Sequence, residues 1–99
     1  MIDFKKHFNN SDEIDFWVQD IYPITIISDR YGGTYSGGQY TAWPIFYYDI
    51  PEGPEDSDIP CFDFWQNVDK SFIGIGESID AAKLDLIFKM KKKLEDYEG

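Results

Sequence analysis

The chain has 99 residues, of which 42% are hydrophobic (8 Phe, 7 Tyr and 3 Trp among them), and its 19 acidic and 9 basic residues give a net charge of -10. That length suits one small domain, and its many aromatic residues exclude intrinsic disorder, which needs low hydrophobicity beside high charge. A field this acidic argues against nucleic acid or an anionic membrane as a direct partner and favours a basic protein surface.

In chain order, Asn10, Ser11 or Asp12 can cap a short helix, and the Asn10–Glu13 spacing has capping-box form. Ile14, Trp17, Val18 and Ile21 then share a helical face, although Asp15–Gln19 also reads as an extended edge piece. Pro23 ends that element. Ile24–Ser28 is rich in β-branched residues and is the clearest strand signal. Two Gly-Gly pairs, Gly32-Gly33 and Gly37-Gly38, mark a long turn. Residues 40–43 resume an extended pattern that can continue through Ile45–Tyr48, with Pro44 pointing to a sheet edge or bulge. Residues 49–60 hold three prolines, a glycine and five carboxylates, and read as a loop. Cys61–Trp65 reads as a weak strand with Phe62 and Phe64 on one face, and Phe72–Ile75 as a short strand. Ser78 caps a final helix over residues 79–96, with Ile79, Ala82, Leu86, Met90, Leu94 and Tyr97 as its apolar stripe and Ile87 widening it. The expected fold is α+β: an antiparallel sheet of three to four strands packed on a C-terminal helix, with a short N-terminal helix possible, in one domain spanning 1–99.

The charge is unevenly placed. Residues 12–69 carry twelve carboxylates against a single basic residue, Arg30, and so hold -11, whereas residues 70–99 balance six acids with six lysines. Lys89 and Lys91–Lys93 are the only candidate for a concentrated positive patch, and the dipole of a helix C-terminus explains them without invoking nucleic acid. Acidity serves solubility in many proteins, but solubility is met by mixed signs, and here basic residues are almost excluded from 58 consecutive positions.

No catalytic constellation, metal site or cofactor motif emerges. His7 is the only histidine and has no ligand or nucleophile partner in its neighbourhood; Cys61, the only cysteine, lies in an aromatic run and reads as a buried, inert thiol. One cysteine allows no intrachain disulfide, which favours the cytoplasm. The start, Met1–His7, lacks the apolar stretch of a signal peptide, and no window holds the roughly 20 apolar residues of a membrane span. The acidic run 49–58 lacks the glycine and closing glutamate of an EF-hand, and Gly74-x-Gly76 lacks the rest of a phosphate-binding fingerprint. The residues assigned to partner binding are Asp49, Glu52, Glu55, Asp56, Asp58 and Asp63, with Tyr35, Tyr40 and Trp43 as apolar anchors. The same aromatics also suit the core of a short chain.

The segment Tyr35-Ser36-Gly37-Gly38, followed by Gln39-Tyr40-Thr41-Ala42-Trp43, resembles the opening of ArdA-type antirestriction proteins, in which a strand leads into a tyrosine, a glycine three positions on, a second glycine and a tryptophan. Tyr35 and Gly38 match; Ala42 stands where the second glycine is expected, and Trp43 comes one residue early. The likeness covers about 20 of the 99 residues. It implies a phage or mobile-element inhibitor whose acidic, DNA-mimic face occupies a basic nucleic-acid-binding surface of a restriction or CRISPR defence protein. It implies a site of action in the host cytoplasm, and the lack of a catalytic constellation leads to the expectation that the protein is not an enzyme. Residues 72–82 resemble instead the last strand, capped turn and helix of HicB-like antitoxin domains, which implies a module covering a basic partner protein. Pairing of two copies through an edge near Pro44 is a further expectation.

Overall fold

The computed structural model describes residues 2–98, excluding the side chains of residues 97 and 98. Helix α1 (Ser11–Asp20) begins where Asn10 accepts a hydrogen bond from the Glu13 N–H at 3.1 Å. The Glu13 carboxylate reaches back to the Asn9 N–H at 3.5 Å, one residue before the usual capping-box partner. Ile14 and Trp17 are buried, and the helix ends at Ile21 in the left-handed region, with φ 51°. The Trp17 indole N–H then donates to the Pro23 carbonyl at 2.7 Å and fixes the chain's exit toward the sheet.

Strands β1 (Thr25–Ser28), β2 (Tyr40–Trp43) and β3 (Gly74–Gly76) form one antiparallel sheet in the order β1-β2-β3. The register pairs Ile26 with Ala42 and Ala42 with Gly74, one row of one sheet face; Thr25 pairs with Trp43 on the other face. β2 is therefore central, and Pro44 stands just beyond its end. The expected sheet edge or bulge at Pro44 is corrected: the strand leading into it has a partner on both sides, and the extended run stops at Trp43 instead of continuing through Pro44.

Helix α3 (Ile79–Glu98) lies on the Ala42–Gly74 face and also packs against α1. Ser78 caps it, its hydroxyl accepting from the Ala81 N–H at 3.0 Å. Ala82, Leu86 and Met90 are fully buried and Ile87 and Leu94 half-buried, but Ile79 is 54% exposed and does not join the stripe. The side chain of Tyr97, expected to end that stripe, lies outside the described residues. On the opposite face of the sheet Trp43 packs against Phe64 and Trp65, with ring centroids 6.0 and 5.8 Å away. Those two rings come from helix α2 (Asp58–Asn67), where the sequence reads as loop and weak strand. Cys61, Phe64 and Trp65 fall at helical spacing and are all buried, while Phe62 points outward; Pro60 is tolerated because it sits in the first turn, where its missing N–H has no intrahelical acceptor. Phe4, on a 3₁₀ turn at Phe4–Lys6, stacks on Phe72 at 4.9 Å and closes this aromatic layer.

The seat of α3 is set by glycine. A Cβ at Gly74 would collide with the Ala82 carbonyl oxygen and stand 2.6 Å from the Leu86 backbone nitrogen, so helix backbone rather than a mobile side chain occupies the space. Gly74→Ala is expected to lose about 1–3 kcal/mol of stability by overpacking. Leu86→Ala should lose about 2–5 kcal/mol, whereas Leu84→Ala, at a position 66% exposed, should stay within about 0.5 kcal/mol. Urea unfolding of the three variants checks this; equal losses at Leu84 and Leu86 would mean that the buried face of α3 is misassigned.

Candidate functional site

The glycine-rich turn between β1 and β2 is built around one carboxylate. Asp29 is only 8% exposed and accepts from the Tyr31 N–H at 2.7 Å and from the Ser36 hydroxyl, itself buried. Its own backbone N–H donates to the Gln39 carbonyl at 2.7 Å. The two glycine pairs lie against each other: Gly33 has φ 94°, and a Cβ there would be 2.8 Å from the Gly38 carbonyl carbon. Asp29 is thus the member of the acidic stretch that serves the turn and not the surface.

The turn leans on the acidic segment that precedes α2. The Tyr35 hydroxyl donates to Asp58 Oδ1 at 3.1 Å, and the Tyr31 hydroxyl to the Asp56 carbonyl at 2.9 Å. The two tyrosine rings meet edge to face at 5.3 Å, and Tyr35 meets Phe62 of α2 in the same way at 5.9 Å. Tyr47 donates to Glu55 Oε1 at 2.9 Å. These contacts raise the tyrosine pKa values above the ordinary range. For Tyr35 the hydrogen bond to Asp58 is the main cause, for Tyr47 the bond to Glu55, and for Tyr31 desolvation, partly offset by Arg30.

The structure therefore brings Tyr35, Glu55, Asp56 and Asp58 together, with Glu52 exposed on the same segment. Asp63 is exposed on α2, and Asp49 lies at the end of a 3₁₀ turn, Tyr47–Asp49, facing a separate groove. The expectation that Trp43 is a surface anchor is corrected. It is completely buried, its indole N–H donating to Thr41 Oγ1 at 3.0 Å, and it is the centre of the aromatic layer. Tyr40 is half-buried opposite Gly76 in the sheet and stands apart from the acidic segment.

The electrostatics follow from which charges are paired. Among the described residues the one ion pair is Lys89–Asp85, at 2.8 Å within α3. None of the twelve carboxylates between residues 12 and 69 is in an ion pair, and all but Asp29 are exposed or half-exposed. Arg30, the sole basic residue of that stretch, donates to the Glu55 backbone carbonyl at 3.3 Å instead of to a carboxylate. Asp69 is the carboxylate whose pKa is drawn down: burial opposes this, but hydrogen bonds from the Ser71 hydroxyl and N–H prevail, helped by Lys93 and Lys5.

Cys61 is fully buried, its thiol 3.7 Å from the Pro54 carbonyl. Burial first, then the Asp29 carboxylate, push the thiol pKa up, against a smaller pull from the Trp65 indole; such a thiol is a poor nucleophile. The Trp65 indole N–H has no hydrogen-bond partner of normal geometry. Among the described residues no three His, Cys, Asp or Glu side chains converge on a point where a metal ion would sit, and no helix is long and apolar enough to cross a membrane.

Sequence reasoning missed a second surface. Phe16, Tyr22, Phe46 and Tyr48 are at least one-third exposed and gather beside α1. Phe16 gave a signal, because it lies outside the Ile14–Trp17–Val18–Ile21 stripe; the rest depends on how the chain turns after Pro44. Comparison of the chain with protein-family models, curated proteins and solved structures returned no significant match.

The junction of turn and acidic segment has a pH signature. Tyr35 and Tyr47 hold their protons more tightly folded than unfolded, so their contribution to stability is complete below about pH 10 and disappears as pH rises through their folded pKa values. Thermal melts should be flat in this respect from neutral pH to about 10 and fall above it. Tyr35→Phe should flatten that fall. Absorbance at the tyrosinate band reads the titration, and a Tyr35 that titrates like free tyrosine would refute the Asp58 contact.

Proposed function

We propose that the protein is a protein-binding inhibitor from a phage or mobile element. Its acidic, DNA-mimic-like face occupies a basic nucleic-acid-binding surface on a host defence protein of restriction or CRISPR type. The observation that carries this reading is the absence of ion pairing among the described carboxylates of residues 12–69, eleven of which reach solvent. Carboxylates without a counter-ion in an internal ion pair are available to an external cation, and a concentrated negative field raises the encounter rate with a basic surface and disfavours acidic competitors. The exposed acids Glu52, Glu55, Asp58 and Asp63 lead this face, with Tyr35 beside them. In this reading no residue performs chemistry, no cofactor is used, and the protein acts in the host cytoplasm.

One observation favours a second reading, an antitoxin-like or regulatory module that covers a basic protein. Within the segment 72–82, a short strand at Gly74–Gly76 leads through a Ser78-capped turn into the start of a helix, an order in keeping with the resemblance to HicB-like domains.

Affinity capture from host extract, followed by competition with duplex DNA, separates the two. The inhibitor reading expects a basic nucleic-acid-binding protein released by duplex DNA and by moderate salt. The joint variant Glu52→Gln, Asp63→Asn should bind it roughly three- to tenfold more weakly, mainly through slower association. A captured ribonuclease indifferent to duplex DNA would favour the antitoxin reading, and a partner bound equally by the neutralised variant would sink both.

A further inference from the structure

The exposed aromatics beside α1 line an open groove of about 390 Å³ between that helix and the segment that follows β2. Phe16 (67% exposed), Tyr22 (65%) and Tyr48 (79%) flank it, and Phe46 joins them: Tyr22 meets Phe46 edge to face at 5.6 Å, and Phe46 stacks on Tyr48 at 5.3 Å. The buried Trp17 contributes to the floor. A cluster of large apolar rings left in water is unusual on a small soluble surface and marks a contact site. Its rim is what identifies the occupant. Glu13, Asp20 and Asp49 line the same groove, no lysine or arginine does, and His7 is the only side chain there able to carry positive charge.

Asp20 is the informative member. It stands in the last turn of α1, where the helix dipole disfavours a carboxylate, and no basic residue shares that turn. It forms no ion pair and no side-chain hydrogen bond among the described residues. The fold gains nothing from a negative charge at that position, whereas a cation held in the groove would.

We propose that this groove receives an arginine-bearing basic segment of the partner protein, the guanidinium lying on the aromatic rings and its N–H groups directed to the acidic rim. Arginine fits better than lysine because its planar cation stacks on ring faces and its forked donors match carboxylates, while its weaker hydration makes it easier to move out of water. This rests on the reading of the protein as a ligand of basic surfaces and names the place where that surface is gripped.

The test uses the whole chain and a short synthetic peptide with two arginines spaced by glycine and serine, with its lysine and citrulline counterparts as controls. Binding is followed by calorimetry at low salt and by amide and indole NMR shifts. The arginine peptide is expected to shift the Trp17 indole and the Phe16, Asp20 and Phe46 amides. The lysine peptide should bind at least threefold more weakly, and the uncharged citrulline peptide at least tenfold. Phe16→Ala and Tyr48→Ala, both at largely exposed positions, should each weaken the arginine peptide roughly three- to tenfold. Asp20→Asn should weaken it as well while raising the melting temperature, a pair of opposite effects that a purely structural residue would not give.

No binding, equal binding of the citrulline peptide, or shifts centred on residues 52–58 would overturn the groove as the site. In the last case the acidic-face reading stands without it. Seating of the arginine peptide in the groove, together with capture of a partner that duplex DNA does not displace, would keep the groove and remove the DNA-mimic reading.

Discussion

Where α3 crosses β3 there is room for backbone and almost nothing else. Gly74 and Gly76 present no side chain to the helix, Ala42 beside them presents one methyl, and Ala82 answers from the helix with another. The helix therefore rests directly on the sheet, and Leu86 and Met90, fully buried one and two turns further along, fill the space that opens beyond the contact. Burying a side chain of that size stabilises a fold by about 1.5–3 kcal/mol, and in a chain this short few such residues are available. The rest is arranged around this seat. α1 packs against the flank of α3, while Trp43 on the opposite face of the sheet gathers Phe64, Trp65, Phe4 and, through Phe4, Phe72 into an aromatic layer.

The same seat disposes of the basic residues. Asp85 of α3 accepts from the Ile75 N–H at 2.8 Å and pairs with Lys89, which in turn donates to the Ile73 carbonyl at 2.8 Å. Backbone groups of an outer strand that would otherwise invite another strand are satisfied by helix side chains, a common protection for a sheet edge. Lys93 lies over the Phe72 ring at 4.0 Å and Lys70 over Trp65 at 5.9 Å. Several lysines of the C-terminal third are thus engaged with β3 and the aromatic layer, and none of them forms an ion pair with a described carboxylate of residues 12–69.

How much of this could be read from residues alone depended on how far apart the interacting groups lie in the chain. β1 declares itself through consecutive β-branched residues, α1 through Asn10 and its stripe, and α3 through Ser78 and a long repeat. α2 does not, because over five residues the alternation of Phe62 and Phe64 is as regular as the helical spacing of Cys61, Phe64 and Trp65, and Pro60 looks like a breaker unless it is known to occupy a first turn. Pro44 misleads in the opposite direction: it suggests an edge, yet it merely follows the central strand. At the candidate site the contact of Tyr35 with Asp58 spans 23 positions and that of Arg30 with Glu55 spans 25, and no local pattern encodes either. Composition places Trp43 and Tyr35 in one class. Only the sheet register, which turns Trp43 toward α2, separates a core ring from one that borders the acidic segment.

On the proposed reading the two surfaces divide the task of binding. Exposed carboxylates act at a distance, and at physiological salt their reach is about one Debye length of 8 Å, so they govern approach and orientation more than the lifetime of a complex. Exposed charge pairs contribute roughly 0–1 kcal/mol each, too little to hold a partner unless many act together. Rings that exclude water are what slow dissociation, and aromatic side chains dominate the small set of residues that carry most binding energy at interfaces. A protein with only the acidic segment would meet basic surfaces quickly and release them as quickly. A groove with Phe16, Tyr22, Phe46 and Tyr48 set inside a rim of carboxylates supplies the missing half, since the cation drawn in by the field arrives where its charge is desolvated and its interaction with both ring and carboxylate is strongest.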